Sequence, residues 1–249
     1  MINKKPEISE RKAVIITGGA KRIGAAIALY MADKGFDIAL HYNSSKSEAI
    51  KLQNKIRKTG VNCELFKADL SKYKNIVSLV KNIKKKMPNC YILVNNASVF
   101  ERCEFLGTDE KFFDRQFDIN FKAPFFLSQQ FAASFAHDGM SVINMIDSDI
   151  SGNKVSHFAY LLSKKTLAEF TKMAAVSLGK DIKVNAICPG SILPSGKEYK
   201  GYMEKVRKSV PLKIQPQQEE IAEAIFWLVT QPSITGQIIN IDGGKHVTG

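Results

Sequence analysis

Short apolar stretches rich in β-branched residues alternate along this chain with longer stretches whose apolar positions recur at helical spacing. The short stretches predict seven buried strands, at residues 12–19, 36–42, 61–70, 91–97, 141–147, 182–190 and 236–242. The longer stretches predict helices at residues 22–35, 47–60, 72–86, 109–136, 157–179 and 219–230. Strands that alternate with helices pair in parallel, because each helix carries the chain back to the edge at which the previous strand began.

This alternation predicts an α/β fold: a single doubly wound parallel sheet of the Rossmann type, with strand order 3-2-1-4-5-6-7 and helices on both faces. No internal repeat, low-complexity stretch or linker interrupts the pattern, so we expect residues 12–249 to form one domain. Residues 1–11 are polar and lack the apolar segment of a secretion signal, and we interpret them as a flexible leader. No stretch approaches the roughly 20 apolar residues of a membrane helix, so we expect no membrane partner.

The chain is strongly basic, with a net charge of +12 that arises from 36 Lys and Arg against 24 Asp and Glu. Such a charge is compatible with a nucleic-acid partner. Thirty of the 36 basic residues are lysine, however, which populates solvated faces, whereas arginine favours bidentate contacts with phosphates and bases. We therefore expect no nucleic-acid partner, and keep a lysine-rich nucleic-acid binder as a remote alternative.

The cysteines carry little sign of a special role. Cys63, Cys90, Cys103 and Cys188 are scattered, and none belongs to a CxxC pair or to the spacing of a metal site. Thiols used in this way are typical of a reduced compartment. We therefore expect no bound metal and a cytoplasmic location.

The segment TGGAKRIG, residues 17–24, follows the first predicted strand and opens the first predicted helix. Gly18 permits a tight turn there, and Gly24 allows the helix and the strand to approach closely. Amides at the start of a helix bind phosphate, so we expect this turn to hold the pyrophosphate of a dinucleotide. The alternative is a turn that is merely rich in glycine.

The end of the second predicted strand bears on which dinucleotide binds. An NAD site usually has a carboxylate there to hold the ribose hydroxyls, but this strand runs into HYNSSKS, residues 41–47, without one. Ser44, Ser45 and Lys46 supply hydroxyls and a cation, and Arg22 adds a guanidinium, which together suit a 2′-phosphate. This pattern favours NADPH, although serine and asparagine are also common in ordinary turns and helix caps.

Tyr160 and Lys164 are one helical turn apart in the predicted helix 157–179, so their side chains share a face. A phenol with a pKa near 10 is a poor acid–base catalyst at neutral pH, but a neighbouring ammonium favours the phenolate. The two residues are therefore candidates for proton transfer. The alternative is an amphipathic helix with a surface lysine, because this spacing is common by chance.

These residues belong to a larger set of motifs in a fixed order. The chain contains TGxxxxxG, NNAS at 95–98, Asn120 in FDINF, YxxSK and CPG at 188–190, and with this set it resembles the short-chain dehydrogenase/reductase family from residue 12 to 244. The resemblance implies an NAD(P)-dependent oxidoreductase, usually a homotetramer, with its active site at the carboxyl ends of the strands. It implies that Tyr160 is the proton donor, that Lys164 tunes it and binds the ribose, and that Asn120 supports the proton relay.

The resemblance also assigns cofactor contacts, which lie in the phosphate turn and at the ends of the following strands. The implied residues are Thr17, Gly18, Arg22, Ile23, Gly24, His41, Tyr42, Asn43, Ser44, Ser45, Asp69, Leu70, Asn96, Ala97, Ser98, Tyr160, Lys164, Pro189, Gly190 and Ser191. Of these, Asp69 is expected to contact the adenine, and Ser98 to reach either the cofactor or the substrate.

Two positions depart from the usual pattern of the family. Arg22 stands where the phosphate turn usually has its third glycine, and Asp147 stands where a catalytic serine is usual, thirteen residues before the tyrosine. Ser148 is the alternative serine, but neighbouring side chains of a strand face opposite ways, so only one of the two should face the site. Both departures resemble one branch, the pteridine reductases and their dihydromonapterin-reductase relatives, which has TGxxKRxG and an aspartate at these places.

The same branch has a phenylalanine in NNASxF, matched here by Phe100, whose ring stacks on the pterin in that branch. A pterin presents ring nitrogens and an amidine-like edge, and a carboxylate accepts hydrogen bonds from that edge. We therefore expect NADPH-dependent reduction of a dihydropterin, with dihydromonapterin, dihydrobiopterin and dihydrofolate all open. The substrate contacts expected are Arg22, Ser98, Phe100, Asp147 and Tyr160. A charged Asp147 would raise the pKa of Tyr160 unless the carboxyl group is protonated or hydrogen-bonded.

Two further alternatives use the same fold. One is a carbonyl reductase such as a 3-oxoacyl carrier-protein reductase; Asp147 and Arg22 disfavour it, as does the polar, lysine-rich segment 191–209 in place of an apolar lid. That basic segment would nevertheless suit an acidic carrier protein, so this alternative stays open. The other is a non-catalytic NADP-binding regulator, which the presence of both Tyr160 and Lys164 disfavours.

Overall fold

The fold was established from a computed structural model, which describes residues 11–193 and 201–248. Seven strands form one sheet in the order β3-β2-β1-β4-β5-β6-β7, and every neighbouring pair is parallel. The strands are β1 Ala13–Ile16, β2 Asp37–Tyr42, β3 Cys63–Lys67, β4 Cys90–Asn95, β5 Met140–Met145, β6 Ile182–Pro189 and β7 Ile238–Ile241. The predicted fold class and strand order are confirmed.

Helices connect the strands and cover the sheet. The α-helices are α1 Arg22–Asp33, α2 Lys46–Arg57, α3 Tyr73–Lys86, α4 Glu110–Phe117, α5 Ala123–Ser134, α6 Phe158–Leu178, α7 Tyr202–Ser209 and α8 Gln218–Thr230. Short 3₁₀ turns lie at Phe105–Gly107, Ser148–Ser151 and Lys245–Val247. No helix within the ranges 11–193 and 201–248 is both long and apolar enough to cross a membrane.

The two faces of the sheet pack against separate sets of helices. Val14 and Ile16 of β1 join a core with Ile27 of α1 and Ile225 of α8. Ile15 of the same strand faces the other way and joins a second core formed mainly with α3 and α5. Successive side chains of a strand point to opposite faces, so a strand buried on both faces is apolar throughout. This arrangement explains why the strands read as continuous apolar runs and not as alternating ones.

The predicted helix 109–136 is broken in the structure. A π-helical turn, Asp118–Lys122, separates α4 from α5, and α5 ends at Ser134. Pro124 has no amide hydrogen and its ring crowds the carbonyl four residues earlier, which is that of Asn120. The helix adapts by widening by one residue there, and Asn120 lies within the widened turn. The interruption therefore follows from the proline.

Two other expectations need comment. β5 ends at Met145, not at residue 147, so Asp147 and Ser148 lie beyond the strand. The leader 1–11 lies outside the described residues except for Arg11, as do residues 194–200 of the polar segment 191–209. The remaining part of that segment includes the amphipathic helix α7.

Candidate active site

A cleft of about 680 Å³ runs along the carboxyl ends of the strands, where the phosphate turn, the loop after β4 and the loop after β5 meet. It brings together most of the residues predicted from sequence. These are Gly18, Arg22, Ile23, Gly24, His41, Tyr42, Asn43, Ser44, Ser45, Leu70, Asn96, Ala97, Ser98, Phe100, Asp147, Tyr160, Lys164, Pro189, Gly190 and Ser191. Thr17, Asp69 and Asn120 do not line it. In parallel sheets of this kind ligands bind at this edge.

The phosphate turn is packed tightly against the loop that follows β4. Gly18 has φ +60°, and a Cβ placed on it would lie 2.9 Å from Cα of Ala97. A Cβ on Gly24 would lie 2.5 Å from the carbonyl oxygen of Gly18. The Thr17 hydroxyl oxygen accepts hydrogen bonds from the amides of Asn96 and Ala97, at 2.9 and 3.0 Å. Thr17 therefore supports the turn from below and does not face the cleft.

His41 holds the other side of the turn. Its Nδ1 accepts a hydrogen bond from the amide of Gly18 at 3.1 Å, and its Nε2 donates to the carbonyl oxygen of Ala68 at 3.1 Å. Burial lowers the pKa of His41 from 6.5 to about 4, against the opposing effect of the Ala68 carbonyl. The two bonds require a neutral ring with its proton on Nε2. His41 positions the backbone that surrounds the predicted phosphate site.

Arg22 occupies its place in the turn with an unusual backbone. Its φ is +54°, in the left-handed region that glycine adopts readily and other residues adopt at a cost of about 1–3 kcal/mol. Its guanidinium donates to the carbonyl oxygen of Leu193 at 3.4 Å and lines the cleft with Ser44 and Ser45. Donors and hydroxyls of this kind fit a phosphorylated ribose. The positive φ shows why glycine is usual at this position.

Three ionisable side chains meet at the other end of the cleft. The Tyr160 hydroxyl donates to Oδ2 of Asp147 at 2.7 Å, and Lys164 Nζ donates to the carbonyl oxygen of Met145 at 2.8 Å. Tyr160 and Lys164 are buried and lie on one face of α6, as predicted. Asp147 caps the 3₁₀ turn Ser148–Ser151, where its Oδ1 accepts from the amide of Asp149 at 2.9 Å.

The pKa shifts of these three groups differ from those expected if Lys164 alone acted on Tyr160. Burial, and then the charge of Asp147, raise the pKa of Tyr160 well above 10. Burial lowers the pKa of Lys164 to about 8, although Asp147 opposes this change. Burial and the neighbouring Asp149 raise the pKa of Asp147 above its usual range. Burial and the charge of Asp147 therefore determine the direction of the Tyr160 pKa shift, and the site favours a protonated phenol.

Asp147, and not Ser148, lies beside Tyr160. The structural reason differs from the strand alternation expected from sequence, because β5 has already ended and Asp147 begins a 3₁₀ turn. The Ser148 side chain is buried and does not line the cleft. Within the described part of the chain, its hydroxyl has no hydrogen-bond partner. The geometry therefore does not support Ser148 as the catalytic serine.

The loop that carries Phe100 is held at several points, mainly by Asn120. The Asn120 carboxamide oxygen accepts from the Ser98 hydroxyl at 2.8 Å and from the amide of Val99 at 2.9 Å. Its Nδ2 donates to the carbonyl oxygen of Val99 at 2.9 Å and to Gln116 at 3.3 Å. These bonds direct the side chain toward the loop. The role of Asn120 in a proton relay stays a prediction. Its observed hydrogen bonds hold the loop in place.

Phe100 lies between two aromatic neighbours. Its ring stacks on His157 with centroids 4.4 Å apart and planes 7° apart, and meets Tyr160 edge to face at 4.8 Å. Phe100 remains 47% exposed, so part of the ring is open to the cleft that it lines. Sequence reasoning missed His157, because nothing in the local pattern links it to a residue 57 positions earlier.

Charged residues at the mouth of the cleft were also missed. Asp149, Lys154 and Lys245 line the cleft, and both lysines contact the Asp149 carboxylate. Asp69 Oδ1 accepts hydrogen bonds from the Ser71 amide and hydroxyl, and the expected contact of Asp69 with adenine stays a prediction. These Ser71 hydrogen bonds lower the pKa of Asp69. In residues 11–193 and 201–248, no group of His, Cys, Asp and Glu is arranged to hold a metal ion.

Comparison with known proteins gives relatives that are described as reductases. A family model described as Enoyl-(Acyl carrier protein) reductase matches residues 18–246. The structure is similar to that of FolM alternative dihydrofolate reductase 1 from Brucella canis complexed with NADP, with a TM-score of 0.92 and 33% identity over 98% of this chain and 97% of that one.

Two curated relatives have different substrates in their names. Dihydromonapterin reductase of Enterobacter sp. (strain 638) is 26% identical over 239 residues, which cover 94% of this chain and 97% of the relative. The 3-oxoacyl-(acyl-carrier-protein) reductase FabG of Staphylococcus epidermidis is also 26% identical, over 243 residues that cover 95% of this chain and 99% of the relative. Sequence identity alone therefore does not discriminate between the two substrates.

Proposed function

This chain belongs to the short-chain dehydrogenase/reductase family of oxidoreductases, and we propose that within it the protein reduces a dihydropterin to a tetrahydropterin with NADPH. The observation that carries the proposal is the hydrogen bond of 2.7 Å from the Tyr160 hydroxyl to Asp147. A ketone substrate requires a hydroxyl donor at the position of Asp147. A carboxylate at that position suits a ring edge that bears N–H donors.

Tyr160 and Asp147 form the proton-transfer pair. The phenol keeps its proton at neutral pH, because burial and Asp147 raise its pKa, and donates it to the ring nitrogen of the reduced C=N bond. Asp147 accepts the hydrogen bond of the phenol before the transfer. After the transfer the Asp147 carboxylate, whose pKa is raised by burial, takes up a proton from solvent and passes it to the phenolate, which restores both groups. Lys164 supplies a positive charge that limits the build-up of negative charge as the proton leaves.

The remainder of the cleft suits NADPH. When bound, NADPH supplies the hydride that reduces the C=N carbon of the ring. The turn that contains Gly18 and Gly24 presents amides to the pyrophosphate, and Arg22, Ser44 and Ser45 lie where a 2′-phosphate needs donors. No carboxylate lines this end of the cleft within the described residues to repel such a phosphate. Phe100 offers the open part of its ring for stacking on the pterin.

The test compares two substrates at fixed enzyme and NADPH, with NADPH oxidation as the readout. One reaction contains a dihydropterin and the other contains an acetoacetyl thioester. We expect turnover of the dihydropterin and little of the thioester. Turnover of the thioester alone would overturn the proposal and leave the family assignment intact.

A carbonyl reductase acting on acyl thioesters is the second candidate. The FabG relatives favour it. Against it, Asp147 replaces the hydroxyl that would donate to a carbonyl oxygen. An Asp147→Ser variant addresses this candidate directly, because it should gain thioester turnover if the rest of the cleft accepts an acyl chain.

We also propose that the protein is a cytoplasmic homotetramer. Helices α4, α5 and α6 present apolar side chains to solvent, namely Phe113, Phe125, Leu162, Met173 and Val176. Exposed apolar side chains on adjoining helices are typical of a subunit interface. The cysteines are free thiols, which suits a reduced compartment. Light scattering coupled to size exclusion should give four times the mass of one chain.

A further inference from the structure

One carboxylate at the mouth of the cleft fixes two lysines. Lys154 Nζ contacts Oδ2 of Asp149 at 3.1 Å, and Lys245 Nζ contacts the other oxygen, Oδ1. Asp149 and Lys245 are 96 positions apart in the sequence, and Lys154 belongs to the loop before α6. All three side chains line the cleft.

The arrangement is built into the loop and not formed by free surface side chains. The Asp149 side chain is only 15% exposed, and its backbone amide donates to Oδ1 of Asp147. The amide of Gly152 donates to the Asp149 carbonyl oxygen and closes the turn. The two lysine side chains are 44% and 33% exposed, so their ammonium groups stay accessible from the cleft.

The local charge is positive. Burial alone would raise the pKa of Asp149, but Lys245 and Lys154 lower it overall, so the carboxylate is ionised. Two ammonium groups against one carboxylate leave a surplus of one positive charge. His246 adds no free cation here, because its ring nitrogen contacts the buried carboxylate of Asp242. Because the Asp149 amide donates to Asp147 and both lysines line the same cleft, this surplus charge lies next to the position proposed for the pterin ring.

We propose that Lys154 and Lys245 form a subsite for an anionic group carried on the side chain of the pterin, a carboxylate or a phosphate. This proposal rests on the proposed function and specifies its substrate class. The Asp149 carboxylate holds the two ammonium groups in place, and the anion completes their hydrogen bonds from the open side. A pterin with an uncharged side chain leaves this subsite unused.

A purely structural role makes a different prediction. Asp149 and Lys245 connect the 3₁₀ turn Ser148–Ser151 with the turn Lys245–Val247, so the cluster also holds two cleft-lining segments together. If that were its only role, loss of the lysines would affect all pterins alike. Discrimination between charged and uncharged substrates therefore separates the two roles.

The experiment measures KM and kcat at saturating NADPH for three substrates. Dihydromonapterin has an uncharged side chain, dihydrofolate carries carboxylates, and a phosphate ester of dihydromonapterin carries a phosphate. The double variant Lys154→Gln/Lys245→Gln should raise KM for an anionic substrate about tenfold more than KM for dihydromonapterin, a difference of about 1.4 kcal/mol. Arginine at both positions should restore most of the difference.

A matched control is Lys172→Gln. Lys172 contacts Glu169 at 2.7 Å in an exposed pair on α6 that does not line the cleft. This variant should leave the ratio of the KM values unchanged, and thermal unfolding should show that the double variant is folded. The anionic substrate whose KM rises in the double variant, dihydrofolate or the phosphate ester, shows whether the subsite binds a carboxylate or a phosphate.

Failure of the subsite proposal and failure of the proposed function would give different results. Equal changes in KM for all three substrates would overturn the subsite and leave the proposed function standing. No turnover of any dihydropterin by the unaltered protein would overturn the proposed function and this inference with it.

Discussion

The two ends of the cleft are built from different kinds of group. The cofactor end, around Gly18 and His41, is formed by backbone amides, hydroxyls, the cations Lys21 and Arg22 and a neutral imidazole. The substrate end, around Asp147 and Tyr160, concentrates ionisable side chains whose pKa values are shifted by burial and by one another. Binding at the cofactor end therefore depends mainly on backbone geometry, and chemistry at the substrate end depends on charges that influence one another. Substitutions and pH should affect the two ends separately.

The largest effect is expected at the substrate end, from Tyr160→Phe. Removing the phenolic proton donor should lower kcat by about 10²–10⁴-fold, the range for general acid–base groups. The cofactor end keeps its contacts, so the dissociation constant for NADPH should change by no more than a few-fold. Fluorescence titration with NADPH and steady-state kinetics measure the two quantities. Loss of NADPH binding together with turnover would contradict the separation of the two ends.

The next effect is expected from Asp147→Asn, which keeps the shape of the side chain and an acceptor for the Tyr160 hydroxyl. It removes the negative charge and the ability to pass a proton, so dihydropterin turnover should fall about 100-fold. Stopped-flow kinetics with dihydropterin in excess measure the loss. Unaltered turnover would show that Asp147 acts only as a structural hydrogen-bond acceptor. Asp147→Ser would then be as active as the unaltered protein.

At the cofactor end, pH should act through His41. Its pKa is about 4 in the folded chain against 6.5 when unfolded, so the unfolded state binds the proton first as pH falls below 6.5. Between pH 7 and pH 5 this group should lower the free energy of unfolding by about 2 kcal/mol. Urea unfolding of the unaltered protein and of His41→Gln at both pH values isolates the contribution. His137→Gln, remote from the cleft and stacked on Tyr91, is the control.

The smallest effect is expected from Arg22→Gly. Glycine accepts the φ of +54° without strain but removes the guanidinium, so the preference for NADPH over NADH should fall about tenfold, or about 1.4 kcal/mol. Arg22→Ala provides the comparison, because it removes the same charge and keeps the strain. An unchanged cofactor preference in both variants would show that the phosphate is bound elsewhere.

Local patterns in the sequence were sufficient for the fold and for the cofactor end. Apolar runs and glycine positions specify strands and turns within a few residues, and so the strand order and the turn at Gly18 could be predicted. The boundary of β5 could not, since it depends on packing. The break in the predicted helix 109–136 was missed although Pro124, which causes it, stands in the sequence.

The substrate end was only partly predictable. Tyr160, Lys164 and Asp147 lie within one stretch, and the spacing of the first two on a helix predicts a shared face. The stacking of Phe100 on His157 and the contact of Asp149 with Lys245 join residues that are far apart in the chain. Only the folded structure brings them together. The pKa of Tyr160 also depends on burial that no sequence pattern specifies.

The position of Lys245 has a practical consequence for handling the protein. The segment after β7 returns to the cleft, and Lys245 in the turn Lys245–Val247 is one of the lining residues. A fluorescent label at the exposed Val247, two residues after Lys245, would therefore lie near the cleft and would report on ligands that bind there. Kinetic assays, in contrast, should use protein without a label in this turn.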